Sequence, residues 1–217
     1  MTDVTLLIDH GNTRLKWVLA RSGQVDANTA GSGSLNDFVQ CFQSPAMIGP
    51  GAVMLSSVAD AGQVEELEGF CNSRWGLTPW RLTSLARQGG VTNAYDDPSK
   101  LGVDRWLAIV GAVAHHGKPI VIWDLGTAAT VDAVDGQGQH LGGMIYPGPA
   151  TMLNALRNET LLQAPRQLGR ASAGPGGTTR ECIANGVFAA QVGALNQFIR
   201  NVAKIMSAEP RLVVTGG

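Results

Sequence analysis

Two short stretches carry residue types suited to phosphate chemistry, Asp9-His10-Gly11-Asn12-Thr13 and Asp124-Leu125-Gly126-Thr127-Ala128. In each, glycine lets a bulky anion approach the backbone, the loop offers N–H groups and a hydroxyl, and the aspartate suits a hydrated Mg²⁺. A lone loop of this kind reads as a plain hairpin turn. Two copies with matched surroundings argue for more. An apolar strand enters both, β-type residues follow at Leu15 to Ala20 and Thr130 to Val134, and a turn glycine arrives 14 residues after each aspartate, at Gly23 and Gly138. Lys16 lies on the strand leaving the first loop, where its charge reaches a phosphate oxygen or is simply solvated.

A third constellation runs from Tyr95 to Arg105, a loop punctuated by Pro98 and Gly102 that enters a helix with Val103, Trp106, Leu107, Val110 and Val113 on its apolar face. Asp104 in the first turn suits the helix dipole, but Arg105 beside it does not. A carboxylate, a guanidinium and an aromatic hydroxyl so close in sequence supply a general base and an anion clamp, as phosphorylation of a hydroxy acid requires. Thr178-Thr179-Arg180-Glu181 has the spacing of a capping box, which occupies Thr178 and leaves the Thr179 hydroxyl for a ligand. The four histidines show no metal-binding spacing, and Gly174-Pro175-Gly176-Gly177 reads as a loop before it reads as a phosphate nest.

These residues need a scaffold, and the pattern supplies one twice. Each Asp-x-Gly stretch opens a three-strand antiparallel meander. The first is followed by a helix around Leu35 to Phe42, a strand Val53 to Leu55 running into Ser56-Ser57, and a helix from about Val64 to Trp75. The second is followed by a long helix near Thr179 to Val202 and a strand Leu212 to Val214 running into Thr215-Gly216-Gly217. The order is that of an α/β layer fold with two related lobes, 1–117 and 118–217. A helix is expected to cover the sheet after the last strand, so the chain is read as truncated at its C-terminal end. Neither a Gly-x-x-x-x-Gly-Lys-Ser/Thr loop nor a strand-borne Gly-x-Gly-x-x-Gly occurs, which sets aside the P-loop and Rossmann folds.

Composition narrows the partners. Sixteen basic against 17 acidic residues give a net charge of −1, so no global field favours nucleic acid or an anionic membrane. The five tryptophans have no basic stripe beside them and read as core. Cys41, Cys71 and Cys182 are odd in number and widely spaced, which fits a reducing cytoplasm, and the apolar run Val4 to Ile8 is too short for a signal peptide or span.

Taken in order along the chain, Asp9 to Lys16, Tyr95-x-x-Pro98-x-x-Leu101-Gly102-Val103-Asp104-Arg105, Asp124-Leu125-Gly126-Thr127-Ala128-Ala129-Thr130-Val131-Asp132 and Thr215-Gly216-Gly217 resemble the motifs of type III pantothenate kinases. The resemblance implies two ribonuclease-H-like lobes of the acetate and sugar kinase/Hsp70/actin superfamily with ATP in a central cleft. It also implies synthesis of 4′-phosphopantothenate, the first committed intermediate of coenzyme A synthesis. Carried over by residue, Asp9, His10, Gly11, Asn12, Thr13, Arg14, Leu15 and Lys16 form the first ATP loop, with Asp9 a candidate for Mg²⁺. Asp104 is the base, and Tyr95, Gly102, Val103, Asp104, Arg105 and Thr179 hold the acceptor. Asp124 takes a monovalent cation, K⁺ or NH₄⁺, and Thr127 meets ATP phosphate. Thr215 to Gly217 lie near adenosine. The family implies a homodimer. Two alternatives stay open on this scaffold: a non-catalytic accessory factor for transcription, and another superfamily enzyme such as a sugar kinase or polyphosphate phosphatase.

Overall fold

Strand β1 (Val4–His10) alternates buried and half-buried side chains, which puts Val4, Leu6, Ile8 and His10 on one face and Thr5, Leu7 and Asp9 on the other. The computed structural model describes residues 3–43, 49–206 and 208–216, so Gly217 lies outside the described residues. β1 pairs antiparallel with β2 (Leu15–Arg21), which pairs with β3 (Gln24–Gly33). The β2–β3 turn carries φ of 48° at Ser22 and 77° at Gly23, the double left-handed conformation whose twist matches a two-residue hairpin. Helix α1 (Leu35–Gln43) leads to β4 (Ala52–Ser57), parallel to β1, and α2 (Ala61–Trp75) leads to the short β5 (Trp80–Arg81), parallel to β4. The sheet order is β3-β2-β1-β4-β5.

Alternation decides the core. Leu6, Ile8, Leu15, Trp17, Val53 and Leu55 meet Phe38 and Phe42 of α1 and Val64, Leu67 and Cys71 of α2. Trp17, Phe38, Phe42, Phe70 and Trp75 pack edge to face or tilted, with centroids 4.9–6.4 Å apart, the geometry aromatic quadrupoles favour. Asp60 caps α2, its carboxylate accepting the Gln63 N–H at 3.1 Å.

The second half repeats the plan. Strand β8 (Ile120–Leu125), β9 (Ala128–Val134) and β10 (His140–Pro147) form the meander, and β11 (Arg211–Gly216) lies parallel to β8, giving the order β10-β9-β8-β11. Between β10 and β11 come α4 (Pro149–Glu159) and α5 (Thr179–Val202). Leu195, Phe198 and Val202 of α5 cover Val121, Val131 and Ala133 of the sheet, and Ile183 and Val187 pack on Leu153 of α4. Among the described residues α5 alone has the length and apolar character of a membrane span, and the stripe formed by those five residues is used in this core.

A hairpin of β6 (Arg87–Gln88) and β7 (Val91–Thr92), a 3₁₀ turn Pro98–Lys100 and helix α3 (Val103–His116) connect the halves. By compactness the chain forms two units, Met1–Ser84 with Ser99–Leu107, and Leu85–Pro98 with Ala108–Gly217. The β6–β7 hairpin joins the second because Thr92 bridges to Gln139 and donates its N–H to Gly138 O at 2.8 Å.

Candidate active site

In the first unit the pairing register sets the chemistry. Asp9 stands opposite Lys16 on β2 and opposite Ser56 on β4. The Ser56 hydroxyl donates to Asp9 Oδ1 at 3.4 Å. Burial raises the Asp9 carboxyl above its ordinary pKa; the Lys16 charge opposes this, the Asp104 charge adds to it, and the Ser56 hydrogen bond opposes it. A carboxylate 95 residues away in sequence therefore contributes to the field at Asp9.

Asp104 reaches that position through the start of α3. Gly102 precedes the helix, and a Cβ there would lie 2.6 Å from Asp104 Oδ1, so a side chain at this position would push the carboxylate out of its present place. The Arg105 N–H donates to Asp104 Oδ1 at 2.8 Å, fixing the carboxylate while it stays exposed. Arg105 itself is 8% exposed, and Val103 is buried.

The loop between β1 and β2 is closed by Gly11 N–H donating to Arg14 O at 3.1 Å, so that amide is used within the turn. Asn12, Thr13 and Arg14 are exposed and Leu15 is buried in the core. His10 lies on the opposite face of β1 from Asp9, 4% exposed, and burial pushes its imidazole pKa down against the pull of Asp60 and Asp9. Its main chain ends β1, paired with Leu15 and Ser57, and its ring is buried on the other face from Asp9: the alternation of a strand separates neighbours in a motif that sequence treats as one.

In the second unit Asp124 and Thr127 occupy the matching turn. Asp124 is opposite Thr130 on β9 and Thr215 on β11. A hydroxyl residue on the parallel strand thus faces the aspartate in both units, Ser56 in one and Thr215 in the other, whereas Lys16 has Thr130 as its counterpart. Pairing resumes at Ala129 opposite Leu125, so this turn is one residue shorter than the first, and Gly126 N–H donates to Ala128 O at 3.2 Å. The turn is clamped by α4: Gly148 N–H and the Thr151 hydroxyl both donate to Thr127 O, at 2.9 and 2.6 Å. A Cβ on Gly148 would collide with the Gly126 carbonyl.

Tyr95 is half-buried, its N–H donating to Asn93 Oδ1 at 3.0 Å, and Thr179 is exposed at the start of α5. Thr178 Oγ1 caps α5 by accepting the Glu181 N–H at 3.2 Å, while Glu181 accepts from Gly177 N–H at 2.8 Å rather than from Thr178. The glycine-rich loop is fastened to this helix, since Asn185 Nδ2 also donates to Gly174 O at 2.9 Å. The structure brings Asp9, Lys16 and Asp104 together in one unit and Asp124, Thr127 and Thr215 in the other. Sequence reasoning missed Ser56, Gly148 and Thr151. The repeated strand-end hydroxyl was a signal for Ser56, while Gly148-Pro149, a glycine cap before proline, was the signal for α4.

Asp9, half-buried at the end of β1, offers a carboxylate oxygen of the kind that suits a hard cation held largely by water and phosphate. Among the described residues there is no cluster of three or more histidine, cysteine or acidic side chains that would form an all-protein metal cage.

The duplicated sheet is the actin-like ATPase fold. MreB5 of Spiroplasma citri bound to ADP matches with a TM-score of 0.52 at 10% identity, over 100% of this chain and 85% of that one. A Campylobacter jejuni protein described as a Baf family transcriptional activator matches with a TM-score of 0.55 at 20% identity, over 98% and 83%. The model of the type III pantothenate kinase family matches residues 5–201, and the chain belongs to that family. The type III pantothenate kinase of Herminiimonas arsenicoxydans is 37% identical over 227 residues, covering 98% of this chain and 86% of the relative. That of Albidiferax ferrireducens is 34% identical over 221 residues, covering 98% and 86%.

Proposed function

We propose that the chain transfers the γ-phosphoryl group of ATP to the hydroxyl of pantothenate, giving 4′-phosphopantothenate at the start of coenzyme A synthesis. Family membership supports the reaction, and the observation that carries the residue roles is the Asp9–Asp104 juxtaposition within one compact unit.

Phosphoryl transfer asks a protein for positioning and charge neutralisation rather than covalent chemistry. In this reading the 9–16 loop and Lys16 hold the ATP phosphates, with Thr127 meeting them from the second loop. Asp104, exposed and oriented by the Arg105 amide, accepts the proton of the acceptor hydroxyl as that oxygen attacks the γ-phosphorus and the bond to the ADP oxygen breaks. Arg105, Tyr95, Gly102, Val103 and Thr179 bind the acceptor, its carboxylate matching the guanidinium. Mg²⁺, when bound beside Asp9, neutralises charge on the phosphates. Asp124 is the proposed ligand of a monovalent cation, K⁺ or NH₄⁺. Thr215 and Gly216 belong to the adenosine side. The lobes 1–117 and 118–217, a homodimeric state and a cytoplasmic location are parts of the same proposal.

The test is ADP release with pantothenate against other hydroxy acids and sugars, with and without K⁺. Pantothenate is expected to be the preferred acceptor, and a sugar that outperforms it removes the reading. Asp104→Asn is expected to keep the fold, by circular dichroism, and to lose about 10²–10⁴ in kcat, the usual worth of a general base. Turnover within a few-fold of wild type removes Asp104 from that role.

A further inference from the structure

The second unit contains a buried polar pair to which the proposed reaction gives no part. Asp132 on β9 and His140 on β10 are 2% and 1% exposed, with His140 Nε2 3.0 Å from Asp132 Oδ1. On the other side of the ring, Ala94 N–H donates to His140 Nδ1 at 3.4 Å. A backbone amide can only donate, so Nδ1 is the acceptor and the ring proton sits on Nε2, donated to Asp132. The imidazole is thereby a rigid link from a carboxylate in the sheet to the main chain one residue before Tyr95.

The link is part of a wider fastening of residues 90–95. Lys118 Nζ donates to Gly90 O and Gln137 O at 3.4 and 3.3 Å. Gln139 Nε2 lies 3.5 Å from Thr92 O, and the Thr92 N–H meets Gly138 O at 2.8 Å. Asn93, itself 8% exposed, accepts the Tyr95 N–H and donates to Leu85 O at 3.3 Å. Stability alone does not call for a buried hydrogen-bonded pair here, because replacing both partners by apolar groups of the same shape is nearly neutral or stabilising. What apolar residues lack is an acceptor aimed at the Ala94 amide.

We propose that Asp132 and His140 are positioning residues for the phosphoryl acceptor: they fix the main chain at Ala94, and so Tyr95, and thereby set the affinity for a small hydroxy acid. This rests on the reading of Tyr95 as an acceptor contact.

Two variants separate the halves of the link. His140→Gln keeps a donor for Asp132, four bonds from Cα as Nε2 is, and leaves no acceptor at the Nδ1 position for Ala94. His140→Asn keeps an acceptor at the same number of bonds from Cα as Nδ1 and removes the donor at Nε2. His140→Gln is expected to raise KM for pantothenate about tenfold or more with KM for ATP and kcat within about twofold, and His140→Asn to raise it less than about threefold. Hydrogen exchange of the peptide covering residues 92–96 is expected to quicken in His140→Gln and to stay near wild type in His140→Asn. Loss of thermal stability in both variants with an unchanged pantothenate KM overturns the proposal, as does a parallel rise in KM for ATP. Tyr95→Ala is the control: an unchanged pantothenate KM there overturns the Tyr95 reading and the acceptor half of the proposal. The exchange comparison still decides the anchoring half, which unchanged exchange in His140→Gln overturns.

Discussion

Asp9 is a residue at which function and stability conflict. Burial raises its carboxyl pKa in the folded chain, with Asp104 adding and Lys16 and Ser56 opposing, so the folded state disfavours the ionised form. A raised folded pKa means that the group's favourable contribution is present below the unfolded pKa and is lost as pH rises through the folded one. At neutral pH ionised Asp9 is therefore a net cost to the free enzyme. Asp9→Asn is expected to raise Tm at pH 7 and to lose most turnover, and the Tm difference is expected to shrink as pH falls towards the ordinary carboxylate range. Thermal melts across pH without nucleotide check this, and a lower Tm for Asp9→Asn at pH 7 contradicts it. The aspartates were legible from sequence because Asp-x-Gly is short and repeated. The division between Asp9 and His10 was not, since it depends on which face of β1 meets α1 and α2, and only the paired sheet decides that.

At the scale of elements, α4 matters because its first turn holds the second loop. Gly148 and Thr151 both donate to Thr127 O, and no side chain larger than hydrogen fits at Gly148 without moving the Gly126 carbonyl. Gly148→Ala is expected to destabilise the chain by about 1–3 kcal/mol, the usual cost of overpacking, and to raise KM for ATP. Thr151→Val removes one donor, with the Gly148 bond kept; it should cost about 0.5–1.5 kcal/mol and raise KM for ATP less. Urea titrations with ATP saturation curves measure both, and equal KM values for the two variants and wild type would show that the clamp is not felt at the nucleotide. Helices α1, α2, α3 and α5 were readable from apolar spacing. Helix α4 was not: within Pro149–Glu159 only Leu153 is fully buried, too little for a periodic stripe to stand out. The β6–β7 hairpin was missed for a related reason, as two-residue strands carry no alternation.

For the whole molecule, the duplication was the most legible property, because a repeated strand-turn-strand pattern survives divergence of nearly every side chain. The allocation of residues 85–98 and 108–117 was not legible, because it depends on long-range bonds such as Thr92 N–H to Gly138 O. Each unit has its own core, built on Phe38 and the β1 face in one and on Phe198 and the β8–β9 face in the other. Phe38 is fully buried and touches Trp17, Phe42 and Phe70 with centroids 5.4, 4.9 and 5.7 Å away, so its truncation leaves a cavity that edge-to-face neighbours cannot refill. Phe38→Ala is therefore expected to cost about 3–5 kcal/mol, and the loss should be confined in the first instance to the unit that contains it. Hydrogen exchange is the measurement that resolves this. Amides of β1, β2 and β4 should exchange faster in the variant, while those of β8 and β9 keep wild-type protection. Equal loss of protection in both sheets would mean that the continuous helix α3, whose residues are divided between the units at Leu107, makes them unfold as one.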